Sequence, residues 1–371
     1  LAQISLTQAL SLPDDREAYL VFRDCITHLQ YLRPLGEVLD RGLHFKLRGY
    51  QYHALLDFQV VRQDPRHDYR ALYQVLGSQG VPDLQQALDE LVMRPILEPY
   101  REMVNAGYLG YLLGKYTAAT KIAPSDEQEI SQKVEHFLTG ASQREGLYHN
   151  ITPVRDEITG LITTGLTLQA RLESILSPGS RKIHQLIDLL TTPLFQEKSQ
   201  RTTLLVWAIC SPLGKLKSDL EGSEYSLTWL YEWKLTHPFV TVLRDWGTPE
   251  ERIQELLQIL RIAIKHQNWY SELQKSPFDK IVQSWFSDPE VQNYLRVNRF
   301  QDVLWYRRES FDEFIAWMTL ITTVKTLADK QMDRASLTET LLHLYEITAR
   351  LRKLEAQSKY RFDHLLNFKS E

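Results

Sequence analysis

The run RGLHFKLRGYQYHALLDFQVV, residues 41–61, constrains the fold more than any other part of the chain. Leu43, Phe45 and Leu47 alternate with His44, Lys46 and Arg48. After Gly49 the parity changes, and Tyr50, Tyr52, Ala54, Leu56, Phe58 and Val60 form the apolar series. A period of two over such a length is the pattern of half-buried strands. A change of parity at a glycine places a turn or bulge there, because glycine takes left-handed dihedrals at little cost. The reading is therefore two strands joined at Arg48-Gly49.

The preceding segment YLVFR, residues 19–23, adds a third strand. Residues 27–41 are ambiguous, with PLGEVLDRG reading as one or two helical turns closed by Gly42. From Asp68 onward the apolar period becomes helical, which places a domain boundary within residues 62–80. The expected fold class is α+β, with a small antiparallel β domain over residues 1–65 and a mostly helical domain over residues 66–371. Within the latter, Leu84, Leu88, Leu91 and Val92 form one helical stripe that should break before Pro95. Residues 93–100, which include Pro99, then read as a connector. Ser125 and Gln128 have the spacing of a capping box, for a helix that Gly140 should stop. Pro178-Gly179 marks a break. Thr202 to Ile209 is apolar on all sides and should be fully buried. Ile253, Leu256, Leu257, Leu260 and Ile264 make the cleanest amphipathic stripe.

Composition excludes several classes. The chain has 43 basic and 47 acidic side chains, a balance without the basic excess of a general nucleic-acid binder. Its two cysteines, Cys25 and Cys210, cannot form a CxxC metal site and suit free thiols in a reducing cytoplasm. The longest uncharged apolar stretch, Phe314 to Val324, is too short to cross a bilayer, so no membrane partner is expected. The 11 histidines are scattered, and no HExxH, glycine-rich phosphate loop or G-x-S-x-G accompanies them. No cofactor, metal or catalytic residue is expected. Asn150-Ile151-Thr152 fits the glycosylation pattern, a match that also arises by chance.

Two aromatic groups stand out. Trp229 and Trp233 lie one helical turn apart, with Tyr231 between them, and exposed rings so placed could stack on sugars. Ordinary core packing gives the same spacing. Trp305 and Tyr306 precede Arg307 and Arg308, where packing at a helix entrance competes with ligand contact. His53 and Asp57 share a strand face, but four residues along a strand span roughly 13 Å, so they cannot bond to each other.

Several of these residues also carry a resemblance. GLHFKLRGYQYHALLDFQVV is similar to the G-L-Y-x-x-L-x-x-Y-x-Y-H-V-F-L-D-F segment of large α-amylase-like members of glycoside hydrolase family 13. Gly42, Leu43, Leu47, Tyr50, Tyr52, His53, Leu56, Asp57 and Phe58 match. YLVFRD precedes it as in those proteins, and Gly80-Val81-Pro82 with Ala87-Leu88 follows. VNRFQDVLWYRRESFDEF resembles their V-N-x-Y-x-G-V-L-W-F-N-K-E-A-F-E-E-L tail, departing at Asp302, where the pattern has Gly, and at Arg307, where it has Asn.

The resemblance implies the small β domain and helical region that follow the catalytic barrel. The family's chemistry uses paired carboxylates, which retaining enzymes hold about 5 Å apart, on the ends of barrel strands. The Asn-His-Asp motif that carries one of the family's acids does not occur in this sequence, and there is no βα alternation to seat the others on barrel strands. The implied role is thus a non-catalytic portion of a longer, α-glucan-cleaving protein, with the barrel upstream of Leu1. Its partners would be that barrel and an α-glucan. Tyr50, Tyr52, Trp229, Trp233 and Trp305 would be the sugar contacts. The alternative is a stand-alone helical protein-interaction module with no sugar role.

Overall fold

The structure, a computed structural model, describes residues 4–64, 67–116, 119–147, 151–175, 181–191 and 197–366. The fold is α+β, with a three-stranded antiparallel sheet near the N-terminus and a large helical region after it. The chain divides into two units, Leu1–Arg94 and Pro95–Glu371. Asn150 and Pro178-Gly179 lie outside the described residues.

In the first unit the strands are β1 (Tyr19–Asp24), β2 (Gln30–Pro34) and β3 (Leu55–Val61), in the order β2-β1-β3. β1 is the central strand, which is why Tyr19, Leu20 and Phe22, from its two faces, are buried. Leu20 and Phe22 face a cluster with Ala18, Tyr31, Leu35 and Val38. Tyr19 faces the other way, onto Leu32, Leu72, Leu84 and Leu88. That second face needs a cover, and the helices Tyr69–Leu76 and Leu84–Met103 supply it. The unit therefore extends past residue 65 to Arg94.

Only one of the two strands expected in residues 41–61 forms. Leu43 and Phe45 pack against the core from irregular backbone, and the ladder begins at Leu55. Nor does Gly49 take the left-handed dihedrals; Tyr50 does, with φ +65°. A bulge then alters the parity a second time. Val21 pairs with Gln59 and Arg23 with Leu56, so β3 has one extra residue opposite Phe22. Asp57 absorbs it with φ +58°. Leu55, Phe58 and Val60 consequently pack on the core, whereas Leu56, expected on the Phe58 face, is 53% exposed.

In the second unit three boundaries differ from expectation. The helix Leu84–Met103, at which the two units divide, runs through Pro95 and Pro99 rather than breaking. Pro99 has no N–H for the Pro95 carbonyl, which instead lies against Gly140 so closely that a Cβ there would collide with it. Gly140 is thus a close-approach residue inside the helix Pro124–Glu145, not its stop; Gly146, at φ +67°, ends it. Pro124 occupies the first position with Ala123 as cap, so Ser125 does not cap, and its hydroxyl bonds Asp126. The all-apolar segment is the interior of Lys198–Cys210, buried from Thr202 to Cys210 as expected. Ile253, Leu256, Leu257, Leu260 and Ile264 are all buried on Glu250–Lys265.

The tail contains a hairpin that periodicity does not reveal, β4 (Asn298–Phe300) with β5 (Val303–Trp305). Its two-residue loop puts Gln301 at φ +50° and Asp302 at φ +61°. Both values suit the turns that match strand twist. Both cysteines are free; Cys210 is buried and Cys25 only partly so. No described helix is long and apolar enough to cross a membrane.

Candidate functional site

The residues singled out as sugar contacts fall into two groups that the structure does not bring together. Trp229 and Trp233 are 2% and 0% exposed, with ring centroids 4.5 Å apart and planes at 14°. Each covers a face of the other inside the core, so neither can serve as a platform for a ligand; that expectation is corrected. Of the aromatic residues on that helix, only Tyr231 is exposed. Trp305, on β5, is partly buried; it pairs with Asn298 across the hairpin and bridges to Arg361. Its Nε1 donates to the Phe300 carbonyl at 3.4 Å.

Tyr50 and Tyr52 are different. They are 107% and 66% exposed and belong to residues 43–54, which lead into β3. The C-terminal end of β1 pairs with the N-terminal ends of β2 and β3. The loop 43–54 and the turn 25–29 therefore emerge at the same end of the sheet. Ile26, Leu47 and Leu56 are exposed there as well, at 45%, 56% and 53%. The result is an apolar, tyrosine-bearing end on an otherwise well-packed unit.

The loop is anchored by one buried carboxylate. Asp24 ends β1 at 0% exposure. Its Oδ1 accepts from the Ile26 amide at 3.0 Å and the Ala54 amide at 3.2 Å. Its Oδ2 accepts from the Thr27 hydroxyl at 2.7 Å and bonds His53 Nδ1 at 2.7 Å. Burial alone would push this carboxyl up, but the Thr27 hydroxyl, His53 and the two amides outweigh it and hold the group well below the ordinary carboxylate range. The Cys25 amide adds a bond to the Ala54 carbonyl at 2.8 Å. His53 also packs its ring on Phe45, centroids 4.9 Å apart. His53 is thus a structural tether, as its distance from Asp57 requires. Asp57 pairs with Arg23 at 2.7 Å.

Beyond this anchor the chain makes a tight turn. The Gln51 amide donates to the Arg48 carbonyl at 3.0 Å, and the Arg48 amide to Gln51 Oε1 at 2.8 Å. Tyr50 sits at the tip. A non-glycine residue at positive φ costs on the order of 1–2 kcal/mol. Here that conformation projects a whole phenol ring into solvent. Sequence reading missed Asp24, although Asp24-Cys25-Ile26-Thr27 has the Asp and Thr spacing of a side-chain-closed turn.

Among the described residues no group of three or more His, Cys, Asp or Glu is placed to hold a metal ion. The end of the sheet offers surface, hydrogen-bonding phenols and apolar contact, the chemistry of binding. Comparison of the chain with protein-family models, curated proteins and solved structures gives no match.

Proposed function

We propose that this chain is the non-catalytic portion of an α-amylase-like glycosidase acting on α-glucans in the cytoplasm. Its first unit packs against the catalytic barrel of the same parent chain and contributes Tyr50 and Tyr52 to glucan contact. The observation that carries this reading is Tyr50, held at φ +65° and fully exposed at the tip of a loop that a buried carboxylate anchors. Backbone strain that serves no core contact is characteristic of functional positions. Aromatic rings present a flat apolar face with a polar edge, suited both to a protein interface and to sugar. The sequence resemblance, under which these tyrosines would lie in the domain after the barrel, supports the barrel as partner.

Affinity electrophoresis in glycogen gels tests the sugar contact. Retarded migration that is lost in Tyr50→Ala and Tyr52→Ala, and kept in Trp229→Phe, supports it. Mobility unaffected by high polysaccharide removes the glucan role. The burial of Trp229 and Trp233 favours a second reading, a protein-interaction module without sugar contact. The reading frame preceding Leu1 separates the two: a barrel bearing three acidic residues supports the first, and a start codon the second.

A further inference from the structure

The second unit contains a polar cleft that the proposed function does not use. It has two lobes, of about 910 and 360 Å³, which share Glu127, Gly160, Ala328 and Lys330 in their walls. Pockets of a few hundred to about 1,000 Å³ suit small molecules. One wall is a face of the helix Ile151–Ile175, on which Asp156, Gly160, Thr164 and Arg171 recur at helical spacing. The C-terminal turn of Arg308–Ala328 and the first turns of Pro124–Glu145 form the others.

The charges in the two lobes differ. In the larger lobe Lys215 is neutralised by Glu157, with Nζ 2.7 Å from both carboxylate oxygens, and Asp156 pairs with Arg155. Lys325 donates to the Gln267 carbonyl, Gln267 Oε1 and Asn268 Oδ1 at 3.0–3.1 Å. Gln128, Ser131, Gln132 and Thr159 add neutral polar side chains to that lobe, and Glu127, Asp329 and Lys330 add further charges. Thr159 is 7% exposed, and its buried hydroxyl has no partner among the described residues.

The smaller lobe is lined by three cations, Lys121, Arg171 and Lys330, and by a single carboxylate, Glu127. Among the described residues none of the three cations makes an ion pair; Arg171 donates to Thr164 Oγ1 at 3.1 Å. Arg171 is partly buried on the helix face, so the cost of removing its guanidinium from water is not offset by a contacting anion. A planar guanidinium flanked by two ammonium groups is the donor arrangement that phosphate oxygens take up.

We propose that this cleft binds a small phosphorylated polyol, with the phosphate between Arg171, Lys121 and Lys330 and the hydroxyl-bearing body along Gln128, Ser131 and Thr159. The shared residues, Glu127, Gly160 and Lys330, mark the passage between the two ends. Gly160 adds no side chain to it, and a Cβ there would meet Ala328 only at ordinary contact distance, 4.0 Å.

Isothermal titration of the full chain with inorganic phosphate, glucose 6-phosphate and glucose provides the test. Saturable binding of glucose 6-phosphate at about 1 mM or tighter is expected, with phosphate weaker and glucose silent. Arg171→Gln should weaken it at least about tenfold, equivalent to about 1.4 kcal/mol. Lys121→Gln and Lys330→Gln, both at exposed positions, should each weaken it severalfold without disturbing the fold. Equal affinity for phosphate and glucose 6-phosphate would limit the site to free phosphate and overturn the polyol half of the proposal. No saturable heat with either anion, or binding unchanged in both lysine variants, would overturn it entirely.

Discussion

Replacing Asp24 with alanine should release the tyrosine loop while leaving the helical unit intact. The carboxylate satisfies four groups through two oxygens: Ile26 and Ala54 amides at Oδ1, Thr27 and His53 at Oδ2. The Thr27 hydroxyl and the His53 ring can turn toward water, since His53 is 21% exposed at its side chain. The two amides cannot turn. Leaving a buried donor without an acceptor costs about 1–3 kcal/mol; both amides are only part-buried, so the pair costs about 2 kcal/mol in local stability. At about 1.4 kcal/mol per factor of ten, amide exchange across residues 50–58 should accelerate by roughly thirtyfold. Hydrogen–deuterium exchange read by mass spectrometry gives this peptide by peptide, with peptides from 202–210 as an internal reference. Asp24→Asn keeps an oxygen for both amides and sacrifices only the Thr27 and His53 side, so it should fall well short of the alanine variant. Exchange in Asp24→Ala within about threefold of wild type would refute the claim that this carboxylate anchors the loop.

Acid should imitate that substitution. Because the folded carboxyl titrates below its unfolded value near 3.9, its contribution is complete above that pH and lost as pH falls through the lower folded value. Protection of residues 50–58 should accordingly stay level from neutral pH to about pH 5 and decline below about pH 4, which exchange corrected for intrinsic rates will show. Gly140→Ala forces a methyl against the Pro95 carbonyl, a backbone atom that cannot swing away; overpacking of about 1–3 kcal/mol or more should lower the thermal midpoint by several degrees. Trp229→Ala opens a cavity beside Trp233 and should cost about 3–5 kcal/mol in denaturant unfolding. It should not alter migration in glycogen gels under conditions where the variant remains folded.

Much of the architecture was visible in the residues, and the exceptions have physical causes. Period-2 and period-3.6 patterns report burial on one side of an element, so β1, β3 and the stripe from Ile253 to Ile264 were legible. Leu43 and Phe45 alternate like a strand yet belong to irregular backbone, because side chains can reach a core without a ladder partner. The parity of Leu56 was misjudged because a bulge residue need not be glycine, and Asp57 tolerates the left-handed region. Pro95 and Pro99 were read as a break because the rule considers only the missing N–H. It does not foresee Gly140 allowing another helix to close over the freed carbonyl. At the candidate site, Tyr50 and Tyr52 could be named from the sequence, but their exposure could not. Trp229 and Trp233 had the same aromatic spacing and turned inward, a difference that lies in the partners packed around them. The phosphate-binding cleft assembles residues from distant helices, so no local spacing announces it.

The irregularity at Asp57 has one more consequence. β3 is a margin of its sheet, and a straight margin of hydrogen-bonding groups invites a second molecule to extend it. A kinked margin, with a charged pair from Arg23 to Asp57 beside the kink, is a poor template for such growth. Whatever approaches this end of the molecule must therefore be recognised by side chains, and crowded copies of the chain are discouraged from stacking into fibres through it.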